Sequence, residues 1–308
     1  SQADTVIVLS KKDEKYCGRR WTLENVKNDW TCELLDEKSI IEAYSIDYGE
    51  KKIDPTGTIV IWQRLNHLQV TPITIDKIIS KTIDEIKKDL GLRFHRFIEN
   101  DKLEITIDKL AFGENPTKVP IKILPLNPFS YQESGHFGFP ITYSINLEGV
   151  NVNVESHIWP PKSNSPGYKL GGGNVSSRQG FYFYRNDRLI QTGGWNGIIA
   201  DNSEPHLSLA RVKIDLPPEL DSHFKINVTK SQLTPSPAFL DKLMNSSSKG
   251  VKFEQYIAKA REAYRTNVDP KPTFPFIPGS DFSQNDQKQF ELLLKDNSSF
   301  VYQKVTFN

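Results

Sequence analysis

The sequence predicts an α/β (α+β) protein of about two domains. Three observations support this: alternating apolar and polar residues between Ile141 and Val154, apolar residues at helical spacing from Ile75 to Leu90, and a length of 308 residues. Alternation with period two is typical of a strand with one buried face, whereas apolar residues three and four apart indicate an amphipathic helix. A chain of this length commonly forms two domains of ~150 residues.

Composition excludes several classes of function. Lys and Arg number 39 against 38 Asp and Glu, so the net charge is +1 and no global field attracts nucleic acid or an acidic membrane. Cys17 and Cys32 are too few for a disulfide framework or a four-ligand zinc site, and we interpret them as reduced thiols. No apolar segment reaches the ~18 residues of a membrane span, and Ser1–Thr5 does not resemble a signal peptide. We therefore expect a cytoplasmic protein. Because the sequence begins without Met, we also expect that the chain has been processed or is a fragment.

The first region predicts a sheet followed by a helix. We predict strands at Thr5–Leu9, Ser39–Ile46 and Thr58–Trp62 from their β-branched residues. The apolar spacing in Thr74–Leu90 predicts a helix with Thr74 as its N-cap. The same pattern continues past Gly91 toward Ile98. Leu103–Ile107 predicts one more strand. Residues 111–135 contain four prolines, so we predict an unpacked connector and a domain boundary there.

The second region predicts two hairpins. Ile141–Leu147 and the alternating valines from Val150 are joined at Glu148-Gly149, and Phe181–Ile190 turns at Arg185-Asn186-Asp187. Further strands are predicted at Leu207–Leu216 and Phe224–Val228. Apolar residues from Phe253 to Tyr264 share one face of a helix, and a proline-rich linker and a last helix are predicted after it.

For most candidate site residues, a purely structural role is the alternative to a functional one. The six histidines lack the spacing of a helical metal site, and Gly171-Gly172-Gly173 lacks the Lys-Ser/Thr of a phosphate loop, so we interpret both as structural. Lys259, Arg261 and Arg265 are candidates for contacts with nucleic-acid phosphates, or else they form a solvated helix face. Lys230 follows an alternating strand in Lys225–Gln232, where a loop lysine can meet a phosphate as a point charge.

The order of several motifs resembles the GHKL ATPases, a superfamily that includes gyrase, MutL, the ninety-kilodalton heat-shock chaperones and the MORC proteins. Gly57-Thr-Ile-Val-Ile-Trp62 resembles the Gly-Thr strand of their nucleotide domain, and Val6–Lys11 resembles the strand after the ATP lid. Gly180–Ile190 with Gly193-Gly194-Trp195, Ala210–Asp215 and Phe224–Gln232 resemble the transducer domain of MORC-like and prokaryotic relatives. The resemblance spans about residues 1–265.

The resemblance implies a ribosomal-protein-like transducer domain whose loop lysine reaches the γ-phosphate of ATP. Lys230 matches that lysine and is the implied catalytic residue, and Gly57, Thr58, Lys230 and Gln232 are the implied cofactor-binding residues. The Glu/Asp and Asn that serve the attacking water and Mg²⁺, the Asp-x-Gly-x-Gly adenine loop and the glycine-rich lid are absent from this sequence. We expect them in an N-terminal nucleotide-binding half, and we expect neither ATP nor Mg²⁺ to bind tightly to this chain alone.

These observations predict three parts: the end of a nucleotide-binding domain (1–110), a transducer domain (111–245) and a helical C-terminal extension (246–308). The predicted function is to couple ATP binding and hydrolysis to rearrangement of a homodimer or of a partner, with ATPase activity only when both halves are joined. The alternative is a non-catalytic module for nucleic-acid binding or dimerisation. DNA and a protein partner both remain open, and prokaryotic relatives suggest DNA transactions or defence; we expect no membrane partner.

Overall fold

In the part of the chain that the structure describes, the fold contains two larger sheets, three two-stranded sheets and seven α-helices. This computed structural model describes residues 3–45, 56–66, 74–109, 120–200, 204–226 and 233–266. Residues Ser1–Tyr264 form one compact unit, and a second comprises Arg265–Asn308. The mixed α+β class is as predicted, whereas the three predicted parts stay predictions. No helix among the described residues has the length and apolarity required to cross a membrane.

The first region is a four-stranded antiparallel sheet. In chain order it contains β1 (Ala3–Lys12), β2 (Lys15–Thr22), α1 (Leu23–Lys27), β3 (Glu33–Leu34), α2 (Glu37–Ser45) and β4 (Thr56–Leu65). The strand order is β3-β2-β1-β4. The strands predicted at Thr5–Leu9 and Thr58–Trp62 are therefore confirmed, as the inner parts of β1 and β4.

The strand predicted at Ser39–Ile46 is wrong, because residues 37–45 form α2. Asp36 precedes this helix and accepts hydrogen bonds from the backbone N–H of Ser39, at 2.9 Å, and from its hydroxyl, at 2.7 Å. A carboxylate that caps the first turn favours helix over strand at this point. Ile40 is buried and packs beside Gly18 of β2, where a Cβ atom would come within 2.9 Å of the Ile40 side chain.

The predicted long helix is confirmed as α3 (Ile75–Arg93), followed by α4 (His95–Glu99). Thr74 precedes α3, but its side chain makes no capping hydrogen bond. The strand predicted at Leu103–Ile107 is reduced to β5 (Thr106–Ile107), which pairs with β6 (Ile121–Lys122).

The described part of the predicted connector, residues 120–135, is packed rather than loose. Ile123 is 1% exposed, and its backbone N–H donates to Ile105 O at 2.9 Å. Leu126 N donates to Gly91 O at 2.9 Å, so the segment lies against α3. Prolines remove backbone donors but do not prevent an extended segment from packing through its other residues.

The second sheet has the strand order β10-β9-β11-β8-β7. Its strands are β7 (Ile141–Leu147), β8 (Val150–Ile158), β9 (Gly180–Arg185), β10 (Arg188–Thr192) and β11 (Ala210–Asp215), with the short helix α5 (Pro166–Lys169) between β8 and β9. Both predicted hairpins are confirmed, with Leu147 opposite Val150 and Arg185 opposite Arg188. β9 and β11 are parallel, and the other neighbours are antiparallel.

Helices α6 (Pro237–Met244) and α7 (Phe253–Thr266) bury one face of the second sheet. Phe239 and Leu243 of α6 and Phe253 and Tyr256 of α7 are fully buried in one cluster with the sheet. Between β11 and α7 lie the remaining short strands, β12 (Phe224–Ile226), β13 (Leu233–Pro235), β14 (Ser247–Ser248) and β15 (Val251–Lys252). The helix predicted from Phe253 to Tyr264 is thus confirmed.

Candidate functional site

Gly57 and Thr58 lie near the start of β4, opposite Lys11 and Ser10 of β1. Thr58 is exposed, and its Oγ1 lies 3.2 Å from Ser10 Oγ. The two hydroxyl groups therefore form a small polar site on an open face of the first sheet. The implied role of Gly57 and Thr58 in cofactor binding stays a prediction.

Lys230 and Gln232 lie in the segment 227–232, outside the described residues. The strands on either side are described: β12 and β13 pair antiparallel, with Ile226 opposite Leu233. Phe224 of β12 and Leu233 of β13 are buried, so both strands are anchored in the core of the second sheet.

The three basic candidates on α7 have different surroundings. Arg261 makes two hydrogen bonds to the carboxylate of Glu204, both at 2.9 Å, and these raise the pKa of Arg261. Lys259 is half-buried and Arg265 is exposed. Because Arg261 already forms an ion pair with Glu204, this contact does not favour the binding of phosphates by Arg261. A nucleic-acid role for these residues stays a prediction.

The structure also connects four polar residues that the sequence analysis did not single out: Lys213, Glu155, His157 and Tyr131. Glu155 and His157 of β8 lie directly opposite Lys213 and Arg211 of β11, on the sheet face away from α6 and α7. Lys213 Nζ is 2.5 Å from Glu155 Oε2, and His157 Nε2 is 2.9 Å from Glu155 Oε1. His157 Nδ1 is 2.5 Å from Tyr131 Oη. We call Lys213, Glu155, His157 and Tyr131 the polar chain.

Burial determines the protonation states in the polar chain. It is the main cause that lowers the pKa of His157, although Glu155 opposes this shift. A neutral His157 accepts a hydrogen bond from Tyr131 at Nδ1, while its Nε2 lies close to Glu155 without the angle of a hydrogen bond. His157 and, less strongly, Lys213 lower the pKa of Glu155 to about 2. Burial raises the pKa of Tyr131, so its hydroxyl stays protonated.

Arg211, beside the polar chain, is completely buried. Its Nη1 donates to Pro128 O at 2.7 Å and Gly167 O at 2.6 Å, and its Nη2 donates to Tyr168 O at 2.5 Å. The guanidinium also lies 4.7 Å from the centre of the Trp159 ring. Burial lowers the pKa of Arg211. The side chain therefore joins β11 to the loop at Pro128 and to helix α5 through backbone carbonyls.

Tyr131 connects the polar chain to a surface cleft of about 390 Å³. The cleft is lined by Ser130, Tyr131, Gln132, Glu133, Pro160, Ser163 and Ser165. Ser130 Oγ and Ser165 Oγ lie 3.1 Å apart, and they donate to Asn127 O and Ser130 O. Both hydroxyl groups are thus already engaged in hydrogen bonds to backbone carbonyls. Within the described part of the chain, no cluster of three His, Cys, Asp or Glu side chains is placed to hold a metal ion.

Stability should depend on pH through Glu155. Its pKa is lowered from 4.5 to about 2 in the folded protein, so its contribution is present above about pH 4.5 and is lost as pH falls toward 2. We expect Glu155→Gln to reduce the free energy of unfolding by on the order of 2 kcal/mol at pH 6, and by progressively less below pH ~4. Urea unfolding between pH 6 and 3 measures this. The matched control is Glu219→Gln, an exposed carboxylate; a Glu155→Gln deficit that stays constant down to pH 3 would contradict the assignment.

Among known proteins, similarity to this chain is found in solved structures and is distant. No protein-family model matches the chain, and no curated protein matches it. Among solved structures, the 43K ATPase domain of Thermus thermophilus gyrase B, in complex with an aminocoumarin, is similar over 86% of this chain and 67% of that chain. The TM-score is 0.31 and the sequence identity is 12%. That protein is a GHKL ATPase, but a likeness of this degree does not identify the function of this chain.

Proposed function

We propose that this chain is the transducer half of an ATP-dependent conformational switch of the GHKL type. In this proposal, the intact protein joins it to a nucleotide-binding half and forms a homodimer that rearranges when ATP binds. The support comes from the order of the sequence motifs, from the Gly57-Thr strand to the closing strands before Gln232. Strands β1, β4, β9, β10 and β11 contain most of these motifs, and β12 contains Phe224–Ile226 of the last one.

The observation that carries the proposal is the strand pair around Lys230. Phe224 of β12 and Leu233 of β13 are buried in the core of the second sheet, and the segment 227–232, which contains Lys230, connects these two strands. An anchored strand pair is a suitable support for a lysine that must reach a phosphate, because movement of the sheet then moves the charge. Lys230 would stabilise negative charge on the γ-phosphate, and Gln232 lies two residues further along the same segment.

In this proposal, the first sheet contacts only the outer edge of the bound nucleotide. Thr58 Oγ1 and Ser10 Oγ lie on an exposed face, where hydroxyls suit the polar edge of a base. The proposal assigns the Mg²⁺ ligands and the water-activating carboxylate to the nucleotide-binding half. ATP with Mg²⁺ supplies the phosphoryl group for hydrolysis, and this chain contributes Gly57, Thr58, Lys230 and Gln232. The alternative of a nucleic-acid module gains no support from Arg261, which is paired with Glu204.

ATP turnover tests the proposal. We expect this chain alone to release no phosphate from Mg-ATP above background, because the general base is not part of it. We expect the intact protein to hydrolyse ATP under the same conditions. Phosphate release by the chain alone at ~1 per second, an ordinary enzyme rate, would refute the proposal, as would an intact protein that neither binds nor hydrolyses ATP.

A further inference from the structure

A glycine-rich loop lies between α5 and β9. Gly171, Gly172 and Gly173 are exposed, and their φ angles are 81°, 128° and 85°. Glycine adopts such angles at little cost, so the sequence of the loop matches its shape. The preceding residue, Leu170, is buried in one cluster with Leu92 of α3. The loop is therefore an exposed segment that starts from a fixed point in the core.

The other end of the loop is held by hydrogen bonds. Asn174 Oδ1 accepts from Ser176 N at 3.2 Å, and Asn174 O accepts from Ser177 Oγ at 2.7 Å. Ser176 is itself buried. Because both ends are held, ordering the three glycines around a ligand costs less conformational entropy than it would in a free segment.

The loop offers backbone N–H groups that the fold does not use. Gly172 N donates to Lys169 O at 3.1 Å. Gly171 N and Gly173 N donate to no acceptor in the described part of the chain. Exposed N–H groups on a tightly turning segment are donors of the kind that bind anions.

Lys88 of α3 reaches over the first glycine. A Cβ atom on Gly171 would come within 2.7 Å of Lys88 Cγ, 3.0 Å of its Cδ and 3.3 Å of its Cε. A single C–N bond is ~1.45 Å long, so the Lys88 ammonium lies within about 5 Å of that point. Glycine at position 171 thus leaves room for a lysine that carries its charge to the loop.

Arg178 approaches the loop at the third glycine. Its Nη2 donates to Gly172 O at 3.1 Å and lies 3.5 Å from the point where a Cβ atom on Gly173 would be. This contact uses one of the five N–H bonds that a guanidinium can donate. Lys169 is exposed and precedes the loop, so it adds a third positive charge nearby. The loop lacks the Lys-Ser/Thr of a phosphate loop, but the fold supplies its cations from other elements.

The three cations have no counter-charge in the described part of the chain. Lys88, Lys169 and Arg178 form no ion pair with any described carboxylate. Residues 156–186 contain no Asp or Glu, although the whole chain contains 38. Positive charges held close together without a carboxylate attract an anion to this surface.

The acidic residues of α3 do not fill this role. Asp84 is paired with Lys87 at 3.7 Å, and Asp89 is paired with Arg93 at 2.8 Å. Both carboxylates lie within four residues of Lys88 in the sequence, yet neither forms an ion pair with it. The charge of Lys88 is therefore available at the loop.

We propose that this loop, with Lys88, Lys169 and Arg178, is a binding site for a phosphate group. The phosphate oxygens accept hydrogen bonds from Gly171 N, Gly173 N and the guanidinium, and the two ammonium groups act as point charges. The site goes beyond the proposed function, because it includes none of the residues implied to bind ATP.

The exposed position of the loop favours one source of the phosphate. A nucleic-acid backbone and a free phosphate have the same chemistry at this site. An exposed site with two long lysine side chains binds a single free phosphate weakly, whereas a polymer gains affinity from each further cation that its phosphates meet. The phosphodiester of a nucleic acid is therefore favoured.

Amide NMR of this chain tests the site directly. Inorganic phosphate, titrated in place of chloride at constant ionic strength, should shift the N–H signals of Gly171 and Gly173. The control signals are those of Gly138 and Gly149, two exposed glycines with φ of 84° and 86°. They should move little. Lys88→Met should reduce the shifts, because methionine keeps most of the stem over Gly171 but lacks the charge.

Anisotropy of a short labelled DNA duplex tests the source. Lys88→Met with Arg178→Gln should weaken binding at least ~10-fold and reduce the slope of log affinity against log salt by about 2, because each phosphate contact contributes ~0.9 to that slope. The matched control, Lys87→Met with Arg185→Gln, removes the same two charges from side chains that are already in ion pairs. It should change the slope little.

The outcomes identify the ligand or refute the site. Glycine shifts together with a selective loss of DNA binding in Lys88→Met/Arg178→Gln assign the phosphate to a nucleic acid. Glycine shifts in a chain that does not bind DNA assign the site to a free phosphate. If the signals of Gly171 and Gly173 move no more than the control signals, the loop binds no phosphate and the inference is wrong. Equal weakening of DNA binding by the two double variants would refute the nucleic-acid source.

Discussion

Arg211→Met should be among the most destabilising single substitutions in the chain. The guanidinium donates three hydrogen bonds to the carbonyls of Pro128, Gly167 and Tyr168 in a fully buried site. Methionine fills similar volume but donates nothing, so the carbonyls of Gly167 and Tyr168 lose this donor, whereas Pro128 O keeps the hydrogen bond from Trp159 Nε1. An unsatisfied buried polar group costs ~1–3 kcal/mol, and we expect a total loss of about 3–5 kcal/mol in the free energy of unfolding.

Urea unfolding of Arg211→Met and of a matched control measures this loss. The control is Arg20→Met, which removes an exposed guanidinium bound to Glu33 at 2.7 and 2.6 Å. An exposed ion pair contributes ~0–1 kcal/mol, so the control should remain close to the wild type. Arg211→Lys should be intermediate, because an ammonium keeps the charge but not the planar fork that reaches both the loop at Pro128 and helix α5. Equal stability of Arg211→Met and Arg20→Met would show that the carbonyl contacts do not stabilise the fold.

Lys230→Ala should reduce ATP hydrolysis by the intact protein at least ~10-fold, because each ~1.4 kcal/mol of lost transition-state stabilisation is a factor of ten. Thermal melting should hardly change, because the proposal gives Lys230 a contact with the nucleotide and no part in the stability of the fold. Single-turnover hydrolysis measured beside melting separates the two effects. Lys230→Arg should not restore full activity, because a planar guanidinium does not replace a compact ammonium in a tight site.

Lys225→Ala is the matched control, five residues earlier on the exposed side of β12. It removes the same charge from the same strand pair, and we expect hydrolysis close to the wild-type rate. If Lys230→Ala melts far earlier while its folded fraction hydrolyses ATP normally, Lys230 is structural. If both variants lose activity equally, the general positive charge of the region matters and no specific lysine contact is needed.

The sequence predicted local elements better than it predicted the contacts between them. The hairpins were predicted correctly because strict alternation and a two-residue turn are local signals, and Glu148 and Gly149 indeed have φ of 49° and 86°. Ser39–Ile46 was misread because its paired isoleucines suit either structure, and the capping by Asp36 was overlooked. The apolar residues alone did not distinguish a helix from a strand in this segment.

The polar chain was missed because its contacts cross the sequence. Glu155 and His157 alternate with the buried residues of β8, and this was a visible sign that they share the opposite face. Their partners on β11 lie more than 50 residues further on, and no sequence pattern fixed the pairing of β8 with β11. The implied site residues Lys230 and Gln232 fall outside the described residues, so this part of the prediction depends on experiment.

The central position of β11 sets an order of assembly during synthesis. Its two neighbours, β8 and β9, belong to hairpins that are complete before residue 193 has been made. Each hairpin forms through local contacts, but the two become one sheet only when Ala210–Asp215 leaves the ribosome and inserts between them. Until then, each hairpin presents an unpaired edge to other nascent chains. A pause in translation just before Ala210 would therefore prolong the stage at which this protein is most prone to aggregate.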